Sequence, residues 1–147
     1  MFFKSMLTGL AVAVVAAGSA YAADCTLPAD AQNGKMVSNQ CKSCHVFEAD
    51  KPSRPTGPNL HDVFGSPAGM RKDFPSYSPA IEAASGKSLT WTEDKLFDYL
   101  ADPKAFLAAV TGNPDLKHGM YFSVKDDQKR KDVIAFLKAI KGKPECN

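Results

Sequence analysis

An all-α fold of short helices joined by long loops is what this sequence predicts, and three observations predict it. Asp126 to Ile140 places Val133, Ile134, Leu137 and Ile140 on one face with Lys and Asp on the other, the spacing of a surface helix. No two alternating apolar and polar runs make a convincing hairpin. All ten prolines and eight of the ten glycines fall after residue 22, so 18 of those 125 positions interrupt regular structure and every element must be short.

Residues 1–22 stand apart. Lys4 is a minimal positive region, Met6 to Ala17 is an apolar stretch, and Ala20-Tyr21-Ala22 is a small-x-small cleavage site, the pattern of a secretory signal cut after Ala22. The competing reading is an uncleaved anchor over Ser5 to Ala23. A span needs about 20 predominantly apolar residues, and Ser, Thr and Gly dilute this one. The expectation is one domain, residues 23–147, in a bacterial periplasm, with no membrane insertion after cleavage. Its 39% apolar content supports one modest core and argues against a multidomain or integral membrane protein. Its 17 Lys and Arg against 16 Asp and Glu, without a basic block, argue against a nucleic-acid partner.

Along the domain, Pro28 to Cys44 reads as the first helix, though its apolar pattern is less regular. Ser78-Pro79 starts a short helix with proline at its first position, ending near Gly86. Thr92 is a good N-cap with Glu93 and Asp94 in the first turn, and Pro103 stops that helix after Leu96, Tyr99 and Leu100. Pro103 to Met120 reads as a long loop. The last helix, from Asp126, is terminated by Gly142 and Pro144.

The chemistry is carried by Cys41-Lys42-Ser43-Cys44-His45. A Cys-x-x-Cys-His run is the attachment signature of a covalent haem: two sulfurs one turn apart reach the two vinyl groups, and the next residue is held beneath the iron. A thioredoxin-type pair would need a strand-rich context, which is missing here. A structural zinc site wants a second closely spaced pair, whereas Cys25 and Cys146 lie isolated at opposite ends. A plain Cys41 to Cys44 disulfide leaves His45 unexplained. Candidates for the second face of the iron are His61, Met70, His118 and Met120. Met70 and Met36 read as core filler, and His61 as a surface or core histidine. Met120 follows Gly119 in a segment without helical pattern, and His118 is its rival.

Outside the signal, the ordered set of motifs resembles a class I cytochrome c of the longer bacterial form. It runs from Gly34 and Cys41-Lys42-Ser43-Cys44-His45 through Thr56-Gly57-Pro58-Asn59-Leu60 and Val63-Phe64-Gly65. It continues with Tyr77-Ser78, Thr90-Trp91-Thr92-Glu93, Tyr99 to Lys104, Met120-Tyr121-Phe122, and Asp132 to Leu137. The resemblance implies short helices and loops wrapped around one haem c per chain, attached through Cys41 and Cys44, with His45 and Met120 as axial ligands. It implies that the Pro58 carbonyl accepts the His45 Nδ1 proton, that Tyr99 donates near the Met120 sulfur, and that Tyr77 and Trp91 hydrogen-bond the haem propionates. Gly34 would let the first helix cross the last closely against Phe136.

The departures are also informative. Ser66 stands where the family usually has an arginine, so a propionate loses one positive partner unless Arg71 or Lys72 replaces it. Cys25 and Cys146 lie outside the family pattern. Because the fold so implied crosses the first and last helices, and the compartment is oxidising, these two are expected to pair as a disulfide.

A His/Met-ligated haem leaves no open site for substrate, so the implied function is one-electron transfer rather than catalysis. The partners implied are transient redox proteins: a dehydrogenase, a membrane cytochrome complex, an oxidase or a reaction centre, met by a monomer. Lys51, Lys104, Lys117, Lys125 and Phe122 are the residues expected around the docking face. The alternatives are a haem enzyme or gas sensor with a labile sixth ligand, supported by the long loop and by His118, or a dedicated haem subunit of one dehydrogenase.

Overall fold

The computed structural model describes residues 25–146; the signal segment 1–22 and its cleavage after Ala22 lie outside the described residues. Five α-helices make the frame: α1 Ala29–Val37, α2 Pro79–Gly86, α3 Glu93–Ala101, α4 Pro103–Thr111 and α5 Asp127–Ile140. No strand forms among the described residues, only isolated bridges between Arg54 and Gly57 and between Pro67 and Thr90. The all-α expectation holds.

The frame is set by the crossing of α1 and α5. Gly34 sits where the helices touch, and a Cβ there would overlap the Asp132 carbonyl and come within 2.8 Å of Phe136 Cβ. A glycine is required because backbone meets backbone at this point. Around it Ala31, Val133, Phe136 and Leu137 are buried, and Phe47 packs on Phe136 with ring centroids 5.6 Å apart. The two ends of the described segment meet, where a disulfide joins Cys25 to Cys146 with Cα atoms 4.9 Å apart, within the usual range for such bonds.

Three local expectations need correction. The first α-helix stops at Val37 rather than running to Cys44: a 3₁₀ turn, Ser38–Gln40, intervenes, and Cys44 and His45 turn their backbone N–H groups to the Cys41 carbonyl. The segment from Pro103 to Met120 is not all loop. Asp102 caps a new helix there, its carboxylate accepting from Ala105 N at 3.0 Å, Pro103 fills the first turn, and Gly112 closes it at φ 70°. Proline at a helix start costs no hydrogen bond, so the residue that ends α3 also begins α4. Thr92 precedes α3, but its hydroxyl bonds the Asp94 carboxylate instead of capping the backbone. Ser78 and Asp126 do cap α2 and α5, accepting from Ile81 N and Lys129 N.

Candidate haem site

Between α5, α3 and the loops 41–78 and 119–122 lies a cavity of about 450 Å³. Its walls are mostly apolar, including Phe47, Leu60, Phe74, Trp91, Leu96, Leu100, Val133 and Leu137, the character of a site for a large apolar ligand. Among the described residues only His45, Asp62 and Arg71 bring an imidazole, carboxylate or guanidinium to this wall.

The Cys41 to His45 turn forms one side. Both cysteines line the cavity and neither is in a disulfide; Cys41 is half-buried and Cys44 exposed. Burial, with the neighbouring Cys44 adding to it, pushes the Cys41 thiol up, so Cys41 is held as a thiol in an apolar wall. His45 Nδ1 lies 2.7 Å from the Pro58 carbonyl oxygen. A carbonyl only accepts, so Nδ1 carries the proton and Nε2 keeps a lone pair free to bind a metal. Burial lowers the imidazole pKa and outweighs the opposing effect of the Pro58 bond, which keeps the ring neutral.

Pro58 is held in place by its neighbours. The Thr56 hydroxyl donates to the Cys44 carbonyl at 3.2 Å, and Leu60 N donates to Val46 O at 2.8 Å. Buried Asn59 spends its whole side chain on the loop: Nδ2 donates to Glu48 O and Lys51 O, each at 2.8 Å, and Oδ1 accepts from His61 N. Sequence reasoning placed Asn59 inside a motif without giving it a role; its signal was an amide next to the proline whose carbonyl meets His45.

The segment carrying Met120 closes another side. Gly119, Met120, Tyr121 and Phe122 all line the cavity. Ala80 N donates to Lys117 O, and Val124 N donates to Leu100 O at 2.8 Å, so the strap is tied to α2 and α3. Lys125 Nζ donates to Ala101 O, also at 2.8 Å. This exposed lysine, expected on the docking face, also caps the last turn of α3, where the helix dipole favours a cation.

The other candidates for the second iron face separate. His61 is buried outside the cavity wall, its Nδ1 3.1 Å from the Asp62 carboxylate. His118 is also off the wall and packs on Tyr121, ring centroids 4.6 Å apart. Met70 does line the cavity, but it is exposed rather than core filler, and Met36 is 65% exposed on α1. Both were expected inside. Met120, half-buried, packs against the central core.

Trp91, Tyr99 and Tyr77 also reach the wall. Trp91 and Tyr99 pack together with centroids 4.8 Å apart, and neither indole N–H nor phenol makes a hydrogen bond to another described residue. Burial pushes the Tyr99 phenol far above its ordinary pKa, so it remains a neutral donor. The Tyr77 hydroxyl accepts from Arg71 N at 3.1 Å, leaving its own proton free.

Two thiols, a histidine with one nitrogen already committed, a methionine and a large apolar cavity form the donor set and the space that a covalent haem requires, so the residues fit the group. No protein-family model matches the chain. Among individual proteins, the cytochrome c2 of Rhodospirillum rubrum is 38% identical over 137 residues, covering 92% of this chain and all of the relative. The chain belongs to the class I cytochrome c family. A cytochrome c2 of Rhodopseudomonas palustris is 40% identical over 118 residues, 76% of this chain and 99% of the relative. The solved cytochrome c2 structures of Rhodospirillum centenum and Paracoccus denitrificans each superpose with a TM-score of 0.70 at 34% identity. They cover 74% and 77% of this chain and 96% and 97% of their own.

As a member of this family the protein is an electron carrier with covalently attached haem c, and it is not an enzyme. The enzyme or sensor alternative falls, as does the dedicated subunit, because the relatives are cytochromes c2 along nearly their whole length. Its structural supports fall as well: the long loop is half helix, and His118 is outside the cavity.

Proposed function

We propose that Cys41 and Cys44 hold the haem covalently in this cavity, that His45 and Met120 are its two axial ligands, and that the protein is a monomeric periplasmic shuttle. The observation that carries this reading is the His45 to Pro58 bond of 2.7 Å within a wall that also bears two unpaired cysteines and Met120. When bound, the haem supplies a one-electron couple whose ferrous state a thioether ligand favours. Pro58 fixes the His45 tautomer, and the strap ties hold Met120 in place whichever charge the centre carries. Little protein therefore has to move when an electron arrives. Tyr99 offers a neutral donor beside the strap, and Trp91 and Tyr77 offer donors to the haem carboxylates.

Partner contact belongs to the cavity mouth, where Tyr121 is 82% and Phe122 41% exposed. Lys51, Lys104 and Lys117 are exposed, with Lys51 Nζ 3.4 Å from Asp50. None of these three lysines lines the cavity beside Tyr121 and Phe122, so docking to redox proteins is mainly apolar and brief, with modest salt dependence. No described helix is long and apolar enough to cross a membrane. The test is the near-infrared band of methionine-ligated ferric haem, measured with a Met120→Ala control. The band is expected in the parent protein and absent from the variant; survival in the variant sinks the assignment.

A further inference from the structure

The peptide group that meets His45 carries a second hydrogen bond at its other end. Pro58 supplies the carbonyl that lies 2.7 Å from His45 Nδ1, and Asn59 supplies the N–H of the same planar unit, which donates to Ser53 Oγ at 2.9 Å. The peptide is trans, so the two bonds leave it on opposite sides, and each polarises the other through the conjugated amide. An N–H drawn toward an acceptor leaves more negative charge on the carbonyl oxygen. The Pro58 carbonyl then pulls harder on the imidazole proton.

Ser53 is brought to this point by closure of its own loop. Arg54 N donates to Gly57 O at 3.0 Å and Gly57 N to Arg54 O at 3.2 Å, which turns the chain so that Ser53 and Asn59 meet. The serine is anchored on its far side as well: its N–H donates to Asp73 Oδ2 at 2.7 Å, and Arg71 holds the same carboxylate through Nε and Nη2. Arg71 chiefly, then the Ser53 N–H, with the Ser53 hydroxyl adding less, keep the Asp73 carboxyl well below the usual range. Asn59 is only 2% exposed and its side-chain amide is spent on Glu48 O, Lys51 O and His61 N. Its backbone N–H therefore depends on the serine for an acceptor.

We infer that Ser53 is a positioning residue for His45, acting through the Pro58–Asn59 peptide group and setting how strongly the imidazole donates to a haem iron. The inference rests on the haem reading above, with His45 as ligand. A more basic imidazole stabilises ferric iron more than ferrous, so the Ser53 hydroxyl holds the midpoint potential down. Part of the tuning of the electron carrier thus lies in a loop serine outside both the attachment turn and the Met120 strap.

The experiment is an equilibrium redox titration of the holoprotein and of its Ser53→Ala and Ser53→Thr variants, with exchange of the Asn59 amide and His45 Nδ1 protons followed by NMR. Ser53→Ala is expected to shift the redox equilibrium toward the ferrous state about two- to fivefold, the scale of a modest weakening of one strong hydrogen bond. At 59 mV per tenfold, that is a rise of roughly 20–40 mV. Both protons should exchange faster than in the parent. Ser53→Thr keeps the hydroxyl and is expected to restore the parent's potential and exchange. A Ser53→Ala protein with the parent's potential overturns the inference even where urea shows it to be less stable, because a merely structural serine changes stability alone. So does a threonine variant displaced as far as the alanine one, which marks loop disruption. Covalent haem staining, the methionine band and the iron-shifted His45 ring signals are recorded on each protein, so failure of the haem reading shows separately.

Discussion

Gly57 leaves no room for a side chain against the ring of His45: a Cβ there would lie 2.6 Å from Cε1 and 2.8 Å from Nδ1. Gly57→Ala must therefore push the imidazole or pull Pro58 away, and either movement breaks the His45 to Pro58 bond. Forced overpacking of this kind costs about 1–3 kcal/mol. Urea unfolding of the ferric holoprotein should show a loss of that size, while an unchanged midpoint would mean that the loop yields without disturbing His45.

The Cys25 to Cys146 disulfide closes nearly the whole domain, with a sequence separation of 121. Replacing both cysteines by serine is expected to cost about 2–4 kcal/mol, since the unfolded chain regains the freedom of a long loop. Ferric parent and double variant are compared in urea, alongside mass spectrometry of an unreduced digest. Separate, unlinked terminal peptides would refute the bridge.

Lys125 ties the strap beyond Met120 to the end of α3. Lys125→Ala should loosen that strap by about 1 kcal/mol, the scale of one charged hydrogen bond at an exposed helix end. External imidazole, which competes with the methionine sulfur, would then bind the ferric protein about fivefold more tightly. An affinity equal to the parent's would place the strap's hold in the backbone bond of Val124 to Leu100 alone.

Acid should act through carboxylates that accept backbone N–H groups. Asp102 is lowered from the ordinary aspartate range by Ala105 N, and Glu48 by its own N–H and that of Phe47. A carboxyl with a lowered folded pKa adds stability above its unfolded pKa and loses it as pH falls through the folded one. Stability is thus expected to be flat from about pH 5 upward and to decline below about pH 4. Asp102→Asn should flatten part of that decline, and a variant with the parent's full acid slope would remove Asp102 from the account.

Much of this protein was legible from spacing. Cys41, Cys44 and His45 are close in sequence, the apolar stripe of α5 repeats at helical intervals, and the capping Ser78 sits directly before its helix. Local chemistry determines such features within a few residues. α4 was missed because a proline was read only as a stop, when the same ring suits a helix start preceded by Asp102. The end of the first helix was misplaced because the turn at Cys41 bends the backbone within a run that still looks helical.

The Cys41 to His45 motif, the all-helical class and the family were readable from the order of residues alone. Tertiary structure decided which distant groups share a wall. It turned Lys125 onto the Ala101 carbonyl, left His118 and His61 off the cavity, exposed Met36 and Met70, and drew Arg71 beside Asp73 and Tyr77. These outcomes depend on how loops of fixed length close over a common core. Such closure balances burial and hydrogen bonding across the whole chain, and no short window of sequence contains that balance.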